Sequence, residues 1–121
     1  MFKFMMVFYQ PDDIPAFENT YNDLLALVER MPDIKRRQVI NVVGSPQGAS
    51  PYYRILEVYF EDQKTMQTSM LGERGQEAGA EINKLPTNTY EMIFAEVFEE
   101  DGATTPTQTP PTGDTDQDAT T

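Results

Sequence analysis

Glu57 is the residue in this sequence best placed to move a proton. It stands between Ile55 and Tyr59 on one face of Tyr52 to Phe60, an aromatic and β-branched run that reads as a β-strand. A carboxylate held among such neighbours is desolvated, which raises its pKa toward the range useful for general acid and base work. The plainer alternative is a structural carboxylate, paired with an arginine or accepting a hydrogen bond from a tyrosine hydroxyl. Arg54 points to the opposite face of the strand, so that pairing would fall to Arg36 or Arg37 on a neighbour. Four phenols, Tyr21, Tyr53, Tyr59 and Tyr90, offer flat contact and one hydrogen bond each to a ligand in an apolar pocket between helix and sheet. Packed in a core with its hydroxyl satisfied locally, each would instead be ordinary filling. Asn22 and Asn41 are weaker candidates, and Met5, Met6, Met66, Met70 and Met92 supply either a deformable lining or core volume.

Composition narrows the chemistry further. The 121 residues include no histidine and no cysteine, which removes imidazole catalysis, disulfides, and thiolate or imidazole ligation of zinc and haem. No carboxylate spacing matches a calcium loop, and Gly44 to Gly48 lacks the Lys-Ser/Thr of a phosphate loop. The expectation is no metal and no cofactor. A net charge of -11 argues against nucleic acid and anionic membrane as partners. Six of the twenty acids lie from Glu99 onward, so the body is only mildly acidic. No apolar run reaches the length of a membrane span. Met1 to Tyr9, with one lysine and then Gln10-Pro11-Asp12-Asp13, does not read as a signal peptide. A cytoplasmic location is expected.

The elements that must position these residues follow from periodicity. Phe2 to Tyr9 alternates as a first strand, apolar on both sides. Asp12 or Asp13 caps a helix from about Ile14 to Arg30, with Phe17, Tyr21, Leu24, Leu25 and Val28 on its buried face. Ile34 to Val43 is a second strand, basic at its start, and Gly44 to Pro51 is a loop. After the strand Tyr52 to Phe60, helix resumes from Asp62, breaks or bends at Gly72 and Gly75, and continues over Gln76 to Lys84. Tyr90 to Phe98 is the last strand. Residues 1–98 therefore form one domain. Residues 99–121, rich in Thr, Pro and Asp, have too little apolar surface to offset chain entropy and are expected to be a disordered tail.

This order is α+β, a ferredoxin-like βαββαβ antiparallel sheet with both helical regions on one face. The first and third strands are central in such a sheet, yet both are apolar on two sides. Helices cover one. A second copy of the chain is the economical cover for the other, which makes a homodimer with two sheets facing each other, a dimeric α+β barrel.

The segment Gly44 to Phe60, with its Gly-rich loop, then Pro51-Tyr52-Tyr53, then Glu57 two residues before Tyr59-Phe60, resembles the EthD family. Phe2-Lys3-Phe4, Pro11-Asp12-Asp13 before Ala16-Phe17-Glu18, Met31-Pro32-Asp33-Ile34 and Pro86-Thr87-Asn88 fall in the family's order, so the resemblance covers about Met1 to Val97. It implies the dimeric α+β barrel independently of burial. It also implies an oxidoreductase-type or accessory role in degrading a small organic compound. One departure stands out: the family's first helix commonly carries a His and, two residues on, a Pro, where this chain has Leu24 and Ala26. An activity that depends on that imidazole would be absent or performed differently. Three readings result. The first is an EthD-type homodimer binding a small apolar or aromatic molecule, with Tyr21, Leu24, Tyr53, Tyr59 and Tyr90 as ligand contacts. The second is a cofactor-independent isomerase or monooxygenase using Glu57. The third is a non-catalytic dimerisation module.

Overall fold

The computed structural model describes residues 1–102. Its elements are β1 (Phe2–Tyr9), α1 (Ile14–Val28), β2 (Arg36–Asn41), β3 (Tyr52–Phe60), α2 (Gln63–Leu71), α3 (Glu73–Ile82) and β4 (Tyr90–Glu96). Most of the expected tail, residues 103–121, lies outside the described residues. Local chemistry accounts for most boundaries. The Asp13 carboxylate accepts from the Ala16 amide at 3.0 Å and Pro15 sits in the first turn, which starts α1. The helix ends before the expected Arg30, because the Arg30 and Met31 amides reach back only three residues, to Leu27 and Val28, and tighten the last turn. Asp33 then takes a positive φ of 67° and turns the chain toward β2.

The second helical region departs from expectation. It breaks once, at Gly72, whose extended φ and ψ of -72° and 176° end α2 and open α3. Gly75 does not interrupt α3. A Cβ there would come within 2.1 Å of the Met70 carbonyl oxygen, so the missing side chain lets α3 fold back tightly on the end of α2. Both edge strands are shorter than expected, although Lys35 and Val42 still donate to β3 and Val97 to the Met1 carbonyl. Edge strands with one hydrogen-bonding neighbour fray in this way.

The sheet is antiparallel in the order β2-β3-β1-β4, so β1 and β3 are central, as their two-sided apolar sequences require. Phe4, Met6, Phe8, Leu56, Val58 and Phe60 point to the helix side, where Phe17, Tyr21, Leu24 and Val28 of α1, with Met66, Ala78 and Ile82, close the core. The Ser69 hydroxyl donates to the Pro32 carbonyl at 2.7 Å and ties α2 to the turn after α1. The opposite face bears no helix. Pairing lays it out in three rows across β2, β3, β1 and β4: Arg36, Tyr59, Lys3, Ala95; then Gln38, Glu57, Met5, Ile93; then Ile40, Ile55, Val7, Glu91.

One irregularity moves a candidate residue. Phe8 faces Arg54 but Tyr9 faces Tyr52, so Tyr53 is an extra residue in β3. The bulge breaks strict alternation and turns the Tyr53 ring to the helix side, edge-on to Phe17 at 5.3 Å, away from the face expected for it beside Glu57.

Candidate functional site

Around the first turns of α1, side chains from three elements converge on Arg54. Its guanidinium meets the Glu18 carboxylate in two hydrogen bonds of 2.7 and 2.9 Å, and its Nε donates to Asn41 Oδ1 at 2.9 Å. The charge lies over the rings of Tyr21, Tyr53 and Phe17 at 4.6, 5.0 and 5.7 Å. Glu18 also accepts from the Tyr53 hydroxyl at 2.7 Å. The bonds from Arg54 hold the Glu18 carboxyl below the usual carboxylate range, against the opposing effect of burial. The hydrogen bond to Glu18 pushes the Tyr53 phenol up, and burial does the same to Tyr21. The Tyr21 hydroxyl is buried and has no hydrogen-bond partner among the described residues. A polar atom in that position is satisfied only by water or a ligand.

Phe17 joins this cluster to an open cleft. A cavity of about 300 Å³ lies between the β1–α1 turn, the first turns of α1 and the α3–β4 turn, with Pro11, Ala16, Phe17, Thr20, Leu85 and Pro86 among its walls. The two turns are brought together by the amide of Tyr9, which donates to the Thr89 carbonyl at 3.0 Å. Several polar groups at the rim are already engaged, while Asp12 and Thr20 make no side-chain hydrogen bond among the described residues. The Tyr9 hydroxyl is given to Glu91, the Gln10 amide to the Tyr52 carbonyl at 3.0 Å, and Asp13 caps α1. Such a site holds a molecule by shape and apolar contact more readily than it reacts with it.

The residues singled out from sequence divide between the two sides of the sheet. Tyr21, Leu24, Tyr53 and Tyr90 are on the helix side. Leu24 is sealed in the core, and Tyr90 donates to Asn83 Oδ1 at 3.1 Å. None of the four is among the walls of the cleft, but Tyr21 and Tyr53 pack directly behind Phe17. Glu57 and Tyr59 are on the helix-free side. There the Tyr59 hydroxyl donates to Glu57 Oε1 at 2.6 Å and Lys3 Nζ stands 3.1 Å from Glu57 Oε2. The cation beside Glu57 is thus Lys3 of β1, in place of the expected Arg36 or Arg37, because Lys3 lies diagonally across the central pair. Arg36 instead covers the Tyr59 ring at 4.2 Å, and Arg37 pairs with Glu29 at 2.9 Å. Among the described residues no three His, Cys, Asp or Glu side chains converge as metal ligands.

No protein-family model matches the chain, and no curated protein matches it. Solved structures do. An ethyl tert-butyl ether D (EthD) family protein from Bacillus halodurans superposes with a TM-score of 0.77 at 28% identity, over 81% of this chain and 99% of that one. The chain is EthD-like. At the level of fold alone it also matches SnoaB, a cofactor-independent oxygenase from Streptomyces nogalater, with a TM-score of 0.61 at 12% identity, over 82% of this chain and 94% of that one. A dimeric ferredoxin-like protein from Jannaschia matches with a TM-score of 0.62 at 13% identity, over 80% and 100% of the two chains. No helix among the described residues is long and apolar enough to cross a membrane.

The cleft is what sequence reasoning missed. Pro11-Asp12-Asp13 and Pro86-Thr87-Asn88 each read as turns, and each carried part of the EthD resemblance. That they enclose one cavity with Phe17 depends on β1 and β4 lying side by side, a contact between residues some eighty positions apart.

Proposed function

We propose that this EthD-like chain is a homodimer that binds one small, largely apolar molecule of one or two rings in the cleft beside Phe17, as an accessory component in the oxidative breakdown of an organic compound. The observation that carries the reading is the cavity of about 300 Å³, walled by Phe17 and two prolines, with its rim hydrogen bonds made within the chain. That volume is at the lower end for ligand sites. Similarity to an EthD family protein over 99% of that structure supports the class of molecule and the accessory role. Two facing sheets complete the dimer, in keeping with the dimeric ferredoxin-like proteins of the same fold.

The proton-transfer reading places its chemistry at Glu57, on the other side of the sheet from this cleft. The two readings therefore separate by mutation. Titration calorimetry with 2-naphthol reads binding directly and is indifferent to any aromatic residue that a variant adds. Saturable binding by the wild type, weakened by about tenfold or more in Ala16→Trp and unchanged in Glu57→Gln, is the expected result. Equal binding by the wild type and Ala16→Trp would remove the cleft from consideration.

A further inference from the structure

The polar groups that the cleft beside Phe17 leaves free differ from those it ties up. On α1 its walls are Ala16, Phe17 and Thr20, which share one face of the helix because they stand three and four residues apart. Thr20 lies about 10 Å along the helix axis from the Asp13 cap at the rise of an α-helix. It is half-buried, and its hydroxyl has no hydrogen-bond partner among the described residues. Lys84 is the one cation of the lining among the described residues, and Glu81 of α3, largely buried, holds its ammonium at 3.0 Å. The start of α1 offers an anion little. Pro15 has no N–H, and the Ala16 and Phe17 amides donate to the Asp13 carboxylate and carbonyl. Asp12 is exposed at the lip and makes no ion pair among the described residues.

Resting on the cleft binding of the preceding section, we infer that the molecule it takes is neutral and bears one hydroxyl, which donates to Thr20 Oγ1, and that the cleft turns away the corresponding carboxylate. Three features of the lining select this chemistry. Thr20 and Asp12, its free polar side chains, both accept hydrogen bonds, so the ligand group that meets them is a donor. Negative charge predominates as well. Asp12 and Asp13 stand at the lip and Glu81 cancels Lys84, so a carboxylate would be dehydrated among apolar walls with no cation to meet it. A cation fares little better. Both lip carboxylates are exposed, so each stays hydrated and screened and returns too little to offset the dehydration of an ammonium. A hydroxyl is cheap to dehydrate by comparison, and one hydrogen bond to Thr20 offsets that cost. Thr20 is thereby a specificity-determining residue of the cleft, while Phe17 and the two prolines give it shape.

Titration calorimetry of the full chain near neutral pH, with the protein titrated into each ligand, compares 2-naphthol with naphthalene, 2-naphthoate and 2-naphthylmethylammonium. The wild type should bind 2-naphthol at least about tenfold more tightly than either ion. Thr20→Val, which puts a methyl group in place of the hydroxyl, should weaken 2-naphthol by about five- to tenfold relative to naphthalene. Thr20→Ser, which keeps the hydroxyl, should leave that ratio at its wild-type value. The comparison with the two ions is made on the wild type and does not depend on a variant folding. A wild type that binds none of the four molecules overturns the cleft reading and this inference with it. A ratio of 2-naphthol to naphthalene affinity that Thr20→Val leaves unchanged, or either ion bound as tightly as 2-naphthol, overturns the selection of a neutral hydroxyl ligand and leaves the cleft standing.

Discussion

On the helix side of the sheet, Phe4, Phe8, Leu56, Val58 and Phe60 are sealed by side chains of the same chain. On the other side, Met5, Val7, Ile55 and Ile93 surround a cluster of Lys3, Glu57 and Tyr59 with no helix above them. The same strands thus carry two different kinds of interior. The helix side is built from interlocking rings, Phe8 edge-on to both Phe17 and Tyr21 at 5.3 and 5.6 Å, with charge where Arg54 meets Glu18 at its margin and where the buried Glu81 of α3 pairs with Lys84. The helix-free side keeps charges at its centre and corners. Apolar contact gives a face its affinity for a partner and placed charges select which partner, so under the proposed dimer the second side serves recognition while the first serves folding.

Mutations can break this contrast, beginning with the strongest. Phe8→Ala should cost about 3–5 kcal/mol in chemical denaturation and leave the association state alone. Ile55→Glu should do the reverse, yielding a folded monomer by sedimentation because it places an unpaired charge on the face that the proposed partner copy covers. A Phe8→Ala variant that dissociates, or an Ile55→Glu variant that unfolds, would erase the distinction between the two sides.

At the margin of the helix side, Glu18→Gln should cost about 1–2 kcal/mol near neutral pH, since the pair with Arg54 is only partly buried. The pH dependence has a definite sign. The Glu18 carboxyl titrates below its ordinary 4.5, so its contribution is complete above that pH and disappears as the pH falls through the depressed value. Acid unfolding of Glu18→Gln should begin at lower pH relative to its own neutral stability, which a pH series of melting curves reads directly. Lys3 supplies the opposite limb on the other face. Burial lowers its ammonium, but the hydrogen bond to and charge of Glu57 outweigh that, and it titrates above its ordinary 10.5. Stability from this pair is present below pH 10.5 and is lost as the pH rises through the raised value. Lys3→Met should remove that alkaline limb. Smallest of all, Val43→Ser in the fully exposed loop should change stability by less than about 0.5 kcal/mol, a baseline for the others.

Much of the fold was legible because its signals are local. Alternation in Phe2 to Tyr9 and Tyr52 to Phe60, Asp13 ahead of Pro15, and the Met31-Pro32 stop each act through neighbours in the chain, and the elements formed where these mark them, except that α1 closes at Val28, short of the expected Arg30. The face of Tyr53 was not legible, since a bulge depends on how β3 registers against β1 and leaves no mark in β3 itself. Nor was Gly75, whose small size answers to the Met70 carbonyl and not to its own helix.

By itself the sequence determined the element order, the two-sided character of the central strands, the absence of histidine and cysteine chemistry, and the likeness to EthD proteins. Only the tertiary structure decided that Lys3 neutralises Glu57, that Arg54 is caged by Tyr21, Tyr53 and Phe17, and that two distant turns enclose the cleft. The reason is physical. Backbone preference and apolar period act over a few residues, whereas ion pairs and cavities are set by which strands lie side by side, and that is fixed only once the whole sheet has closed.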